Sequence, residues 1–145
     1  MTSQTPRAQV AQIIASMPHA RALSMAVEST DNDAAVVSMP YDPRFIGDPE
    51  TGVISGGAVS ALMDTCCGLA VMMHPDAGFP TATLDLRIDY MRSATPGDKI
   101  TATATCYRVT RSVAFVRAIA TDADTSRPVA SATGAFTVPQ REATS

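Results

Sequence analysis

Charge is scarce in this sequence. Charged residues make up 17% of the 145 and the formal net charge is −3, so no global basic field exists to hold nucleic acid or an anionic membrane. Any bound anion must be met locally. There are only three cysteines and two histidines. Cys66 and Cys67 are adjacent, Cys106 stands alone, and no CxxC or HExxH spacing links them with His19 or His74. A disulfide framework and metal chemistry are therefore set aside, and the cysteines read as small buried apolar side chains. No charged segment precedes an apolar run at the start, and the most apolar stretch, residues 52–73, is interrupted by Asp64 and Gly68. It reads as neither a signal peptide nor a membrane span, and a cytoplasmic protein is expected. Repeats, low-complexity tracts and interdomain linkers are missing too, so residues 1–145 are expected to form one domain, large enough to bury a core unaided.

What is present falls into a simple order. After a loose end, Val10, Ile13, Ile14 and Met17 recur at helical spacing until Pro18, predicting a short helix over about 7–17. Leu23, Met25 and Val27 alternate, a turn-rich "STDND" follows, and the β-branched run 34–39 completes a hairpin. The segment "PYDPRFIGDPETG" is too rich in proline, glycine and aspartate for either element and reads as a loop of about a dozen residues. A long helix follows over residues 58–73, then four strand-like runs at 81–90, 99–108, 112–121 and 128–138, read as an antiparallel meander. The expected class is α+β, one sheet and one central helix, with the core over about 20–138 and a flexible tail over about 139–145.

The long helix carries the chemistry of interest. Val59, Leu62, Met63, Cys66, Ala70 and Met73 define an apolar face for the sheet. Asp64 points elsewhere, with Ser60, Ala61, Cys67, Gly68 and Val71 as its helical neighbours. A helix apolar or small on both sides needs a second cover, and a second copy of the chain is the expected one. Asp64 is then either a hydrogen-bonding structural carboxylate or a base or nucleophile at a subunit seam, where partial desolvation favours basicity. At the helix start, Ser55 reads as the N-cap, and the Gly56-Gly57 step either turns the chain or offers unpaired N–H groups as an oxyanion hole. The two roles are compatible.

With these residues assembled, "GVISGGAVSALMDTCCGLAV" and "TLDLRIDYMRSATPGD" resemble the glycine-glycine helix and the following strand and turn of hotdog-fold acyl-CoA thioesterases, notably the phenylacetic-acid-degradation (PaaI-like) group. The family acid lies eight residues after the first glycine, as Asp64 does after Gly56. The resemblance implies a sheet wrapped around one long helix, and a homodimer, commonly pairing into a homotetramer, with sites at the seam. It implies hydrolysis of an acyl-CoA to free acid and coenzyme A, with no cofactor beyond that thioester substrate. The Gly56 N–H would polarise the carbonyl, Asp64 of the partner would attack it or activate water, and Thr83 is the matching assisting hydroxyl. Ser55 and Gly57 would line the substrate site. Two positions depart from the family pattern: Ser55 replaces a histidine, and Pro49 stands where relatives place Asn or Gln, with Glu50 the nearest replacement.

Coenzyme A phosphates require local cations, for which Arg87, Arg92, Arg108, Arg111 and Arg117 are candidates. Arg87 shares a strand face with Asp89 and pairs with it on one reading. Arg92 and Arg111 sit beside turns and are the expected phosphate contacts. Among rival readings, "GVISGG" has G-x-x-S-G rather than the G-x-S-x-G of a serine hydrolase turn. A hotdog dehydratase would carry a histidine that this helix lacks, Leu69 standing five residues beyond Asp64. The remaining alternative is a non-catalytic acyl-CoA or acyl-carrier-protein binding module on the same fold.

Overall fold

The computed structural model describes residues 7–31 and 33–140. Helix α1 (Arg7–Ser16) turns Val10 and Ile14 into the core, 4% and 1% exposed. Pro18 ends that helix as expected but also opens a second, α2 (Pro18–Ala22). Proline suits a first helical position, where its missing N–H has no partner to lose. The hairpin strands are β1 (Ala26–Ser29) and β2 (Ala34–Met39), paired with Val27 opposite Val37.

The segment expected to be an irregular loop has structure of its own. Asp42 caps a 3₁₀ turn, Pro43–Phe45, through the Arg44 N–H at 2.8 Å. Strands β3 (Ile46–Asp48) and β4 (Val53–Ile54) then pair antiparallel. Gly52 closes this hairpin at φ 75°, a left-handed conformation natural to glycine, and its carbonyl accepts the Tyr41 hydroxyl at 2.7 Å. Strands of two and three residues are too short to leave an alternation signal. The buried Phe45 and Ile54 fasten them to the core.

Helix α3 (Gly56–Met73) is the central helix and packs on β2 and on two later strands, β6 (Ile100–Val109) and β7 (Val113–Thr121). It is long and apolar enough to cross a membrane by composition alone, yet it is the core helix here. Strand alternation lines the sheet's inner face with Ala102, Ala104, Ala114, Ala118 and Ala120, all 3% exposed or less. Such short side chains let the helix lie close, and Leu62, Met63 and Cys66 fill the contact at 0% exposure. Each large side chain so buried contributes about 1.5–3 kcal/mol.

Burial reaches further around α3 than the predicted face. Cys67 and Val71 are also 0% exposed, and α1 packs against α3 within the same chain. Part of the second cover is thus the chain's own N-terminal helix. A narrower stripe of small residues, Ser60, Ala61, Asp64, Thr65 and Gly68, stays half-buried.

The last strands are β5 (Thr83–Tyr90) and β8 (Ala130–Thr137). The six-stranded sheet has the order β1-β2-β6-β7-β8-β5, with every pairing antiparallel. Three strands, β6 to β8, form the expected meander, but β5 does not begin it. It crosses to the far side of β8, pairing Leu86 with Gly134 and Tyr90 with Ala130. An edge position explains why β5 is the most exposed of the long strands.

Candidate active site

The N-terminus of α3 is built by its cap. The Ser55 N–H donates to the Phe45 carbonyl at 2.8 Å, fixing the cap to the 3₁₀ turn. Its hydroxyl accepts from the Gly57 N–H at 3.2 Å, and its carbonyl accepts from Ala58 and Val59 at 3.0 and 3.3 Å. The Gly56 N–H alone in this first turn has no acceptor among the described residues. Of the two glycines singled out in the sequence, the structure therefore leaves only Gly56 as a free donor, at the positive end of an 18-residue helix. Ser55 and Gly57 are engaged with each other.

A cavity of about 360 Å³ opens beside Gly56, walled by Val53, Ile54, Val59, Tyr90 and Met91. Tyr90, unmarked as a site residue in the sequence reading, stands over the helix start. Its hydroxyl donates to the Gly56 carbonyl at 2.9 Å and lies in close contact with the Ser60 hydroxyl, which itself donates to the same carbonyl at 3.1 Å. Tyr90 and Gly56 lie 34 residues apart, so no local pattern announces this contact.

Two turns along the helix, half-buried Asp64 meets Thr83, the Thr83 hydroxyl donating to Oδ1 at 2.7 Å. That bond leaves Oδ2 available. Eight residues at 1.5 Å each put Gly56 and Asp64 of one chain about 12 Å apart. The structure brings together Asp64 with Thr83, and Gly56 with Tyr90, as two separate half-sites.

The cation expectations divide. Arg92 is not free: Nη1 and Nη2 each bond an Asp122 oxygen at 2.7 Å, Nη1 also reaches the Ser93 carbonyl at 3.1 Å, and Nη2 and Nε reach the Arg127 carbonyl at 2.8 and 3.1 Å. All five N–H groups of a guanidinium are thereby used, and Arg92 is a structural clamp with none left for a phosphate. Hydrogen bonding from Arg92 holds the Asp122 carboxyl well below the usual carboxylate range. Arg111 is exposed at the β6–β7 turn and has no ion pair among the described residues. Arg87 pairs with Asp89 at 3.4 Å, both side chains open to solvent, a contact worth little. Arg117 lies over the Tyr107 ring at 5.1 Å.

Burial pushes the Cys66 thiol up to about 12 and drives that of Cys67 upward as well. Neither is a nucleophile at neutral pH. Among the described residues no group of three or more His, Cys, Asp or Glu side chains is placed to hold a metal.

A long helix inside an antiparallel sheet is the architecture of the hotdog-fold thioesterases. Residues 51–129 match the thioesterase superfamily, and the chain belongs to that family, whose chemistry is thioester hydrolysis. A candidate esterase from Halobacterium salinarum is 32% identical over 108 residues, 72% of this chain and 70% of that protein. A crystal structure of a Pseudomonas aeruginosa protein superposes with a TM-score of 0.81 at 37% identity, covering 91% of this chain and 98% of that one. A variant of the phenylacetic acid degradation protein PaaI from Thermus thermophilus superposes with a TM-score of 0.74 at 26% identity, over 85% of this chain and 100% of that one.

Proposed function

We propose that the protein hydrolyses an acyl-CoA, with a short, medium-length or aromatic acyl group, to the free acid and coenzyme A. The observation that carries this reading is the Gly56 N–H, left unpaired at a helix N-terminus beside a cavity that Gly56 lines, while its neighbours are capped. Such a donor suits the oxygen of a thioester carbonyl, whose charge grows as the tetrahedral intermediate forms. A base must stand close to the carbonyl carbon. Asp64 of the same chain, about 12 Å along a rigid helix, is too far, so the base is Asp64 of a second copy.

In this mechanism Oδ2 of Asp64 takes a proton from water as its oxygen bonds to the carbonyl carbon, while Thr83 holds Oδ1. The intermediate collapses, the C–S bond breaks, and the departing thiolate recovers the proton from Asp64. The homodimer is supported by β5, an edge strand carrying Leu84 at 57% and Tyr90 at 51% exposure, and by the half-buried stripe of small residues on α3. Exposed strand edges of this kind invite pairing. Pairing of dimers into a tetramer accords with the family. Exposed Arg111 supplies a local cation for the coenzyme A phosphates.

Thiol release from a panel of short, medium, long and aromatic acyl-CoAs tests the reading, with Asp64→Asn alongside. The wild type is expected to turn over a subset, and the variant to bind those substrates while losing about 10²-fold or more in kcat. Binding without thiol release by the wild type would instead assign a non-catalytic acyl-CoA or acyl-carrier-protein binding module. Unchanged turnover in the variant would remove Asp64 from the mechanism.

A further inference from the structure

We infer that Tyr90 is a positioning residue: its phenol ties the Gly56 carbonyl to the end of β5 and so fixes where the first turn of α3, with the Gly56 N–H at its start, sits. The inference rests on the thioesterase reading above and adds a residue that the glycine-glycine helix pattern does not contain.

Two glycines in succession make the helix start the most conformationally costly place to keep a donor fixed, since glycine loses the most freedom on ordering. An oxyanion donor nevertheless works through preorganisation, its dipole already aimed when charge develops. The cap restrains one side of Gly56, through the Ser55 carbonyl that accepts from Ala58 and Val59, and a second restraint falls on its other side. The Gly56 carbonyl and the Gly57 N–H form one planar peptide unit, held by the Ser55 hydroxyl on its N–H and, from outside the helix, by the Tyr90 hydroxyl on its carbonyl at 2.9 Å.

Tyr90 is well placed for this. It ends β5, where its backbone pairs with Ala130. The next two N–H groups, of Met91 and Arg92, donate to the Val129 carbonyl at 2.8 and 3.3 Å, and the Arg92 side chain is locked to the buried Asp122. The phenol thus projects from a fixed strand end. Its ring lies beside Gly56, where an added methyl group would meet it at an ordinary contact distance of 3.5 Å.

Three oxygens, of Tyr90, Ser60 and the Gly56 carbonyl, meet here with two hydroxyl protons among them. Either hydroxyl donates to the carbonyl while the other donates to its neighbour, so the cluster is satisfied in two ways. Of the two hydroxyls, only that of Tyr90 comes from another element, because Ser60 belongs to the same helix. Loss of the Ser60 hydroxyl leaves the tether in place, and loss of the Tyr90 hydroxyl removes it.

The test is Tyr90→Phe, which keeps the ring and the cavity wall, beside Ser60→Ala. With an acyl-CoA that the wild type turns over, kcat of Tyr90→Phe is expected to fall about five- to tenfold, the worth of one hydrogen bond. KM and the affinity for a non-hydrolysable thioether analogue should stay within about twofold, as expected when only the transition-state interaction weakens. Ser60→Ala should keep its kcat within about twofold, since the tether survives. Amide hydrogen exchange over Gly56–Ser60 should quicken in Tyr90→Phe and not in Ser60→Ala. That readout needs no turnover, so it judges the pin even where the thioesterase assignment fails for every acyl-CoA tried. Unchanged kcat and exchange in Tyr90→Phe would overturn the inference. So would a raised KM with unchanged kcat, which would make Tyr90 a substrate contact.

Discussion

Replacing Asp122 by alanine tests the energetic account of the region beside the cavity. Its side chain is 0% exposed and accepts four hydrogen bonds, two from Arg92 at 2.7 Å and one each from the backbone N–H groups of Thr95 and Asp124 at 3.0 Å. Three segments, the turn after β5, the end of β7 and the loop before β8, meet on this one carboxylate. Removing one partner of a buried pair costs about 3–5 kcal/mol, because the remaining charge is left uncompensated. Arg92 keeps the Ser93 and Arg127 carbonyls and its side chain is 19% exposed, so the cost falls at the lower end, about 3 kcal/mol. That is a large share of a stability of about 5–15 kcal/mol, and it lowers Tm by roughly 10 °C for a chain of this size.

Urea unfolding at pH 7, followed by circular dichroism, measures this difference directly. The sign of its pH dependence is fixed by the structure. A carboxyl held below its ordinary value of 3.8 stabilises the fold above that value and loses the contribution as pH falls toward the folded-state value. The gap between wild type and Asp122→Ala should therefore be full at pH 7 and narrow on acidification below about pH 4. A loss below about 1 kcal/mol at pH 7 would place the pair with weak surface ion pairs and refute the reasoning.

Gly134→Ala is expected to destabilise the fold by about 1–3 kcal/mol in the same urea assay, because the new methyl group would sit 2.8 Å from the Asp85 carbonyl and force β5 away from β8. Since Cys66 and Cys67 are buried with their thiols pushed upward and Cys106 shifts the same way, the native protein at pH 8 should react only slowly with a thiol reagent. In denaturant all three cysteines of the sequence should react at once, and rapid native labelling of Cys66 or Cys67 would contradict their burial.

Local patterns carried most of the fold. Spacings of three and four marked α3, and alternation marked β6, β7 and β8, because each records how one element meets one core. The place of β5 could not be read that way. Its sequence alternates like its neighbours', and only the pairing of Tyr90 with Ala130, set by the whole sheet, sends it past β8. Pro18 was legible in principle, since a proline that stops one helix also suits the first turn of the next. At the site, the helix start and Asp64 stand out in the sequence, and the resemblance pointed to Thr83. The ties of Tyr90 to Gly56 and of Arg92 to Asp122 span 34 and 30 residues, and a lone tyrosine or arginine carries no mark of its distant partner. Arg92 looked free because a turn residue usually faces water. Here the turn folds back over Asp122.

The distance between the two half-sites constrains any assembly that unites them. Gly56 and Asp64 ride on one stiff helix, so no loop motion closes their separation of about 12 Å. In a symmetric dimer, contacts are reciprocal: where Gly56 of one copy meets Asp64 of the other, the converse contact forms as well. With the two helices antiparallel, both contacts form together only where the two-fold axis passes near the midpoint of the segment, beside Ser60. The helix is narrow there. Gly57, Ser60, Asp64 and Gly68 follow one another at intervals of three and four, with Ala61 beside them, and small side chains let helices approach to about 8 Å. In the proposed dimer, the stripe of small residues around half-buried Asp64 gives a second helix the room to bring its Gly56 against it. In that dimer, bulk at Ser60 or Ala61 would separate both pairs at once, and enlarging either side chain is expected to lower turnover although neither need touch the substrate.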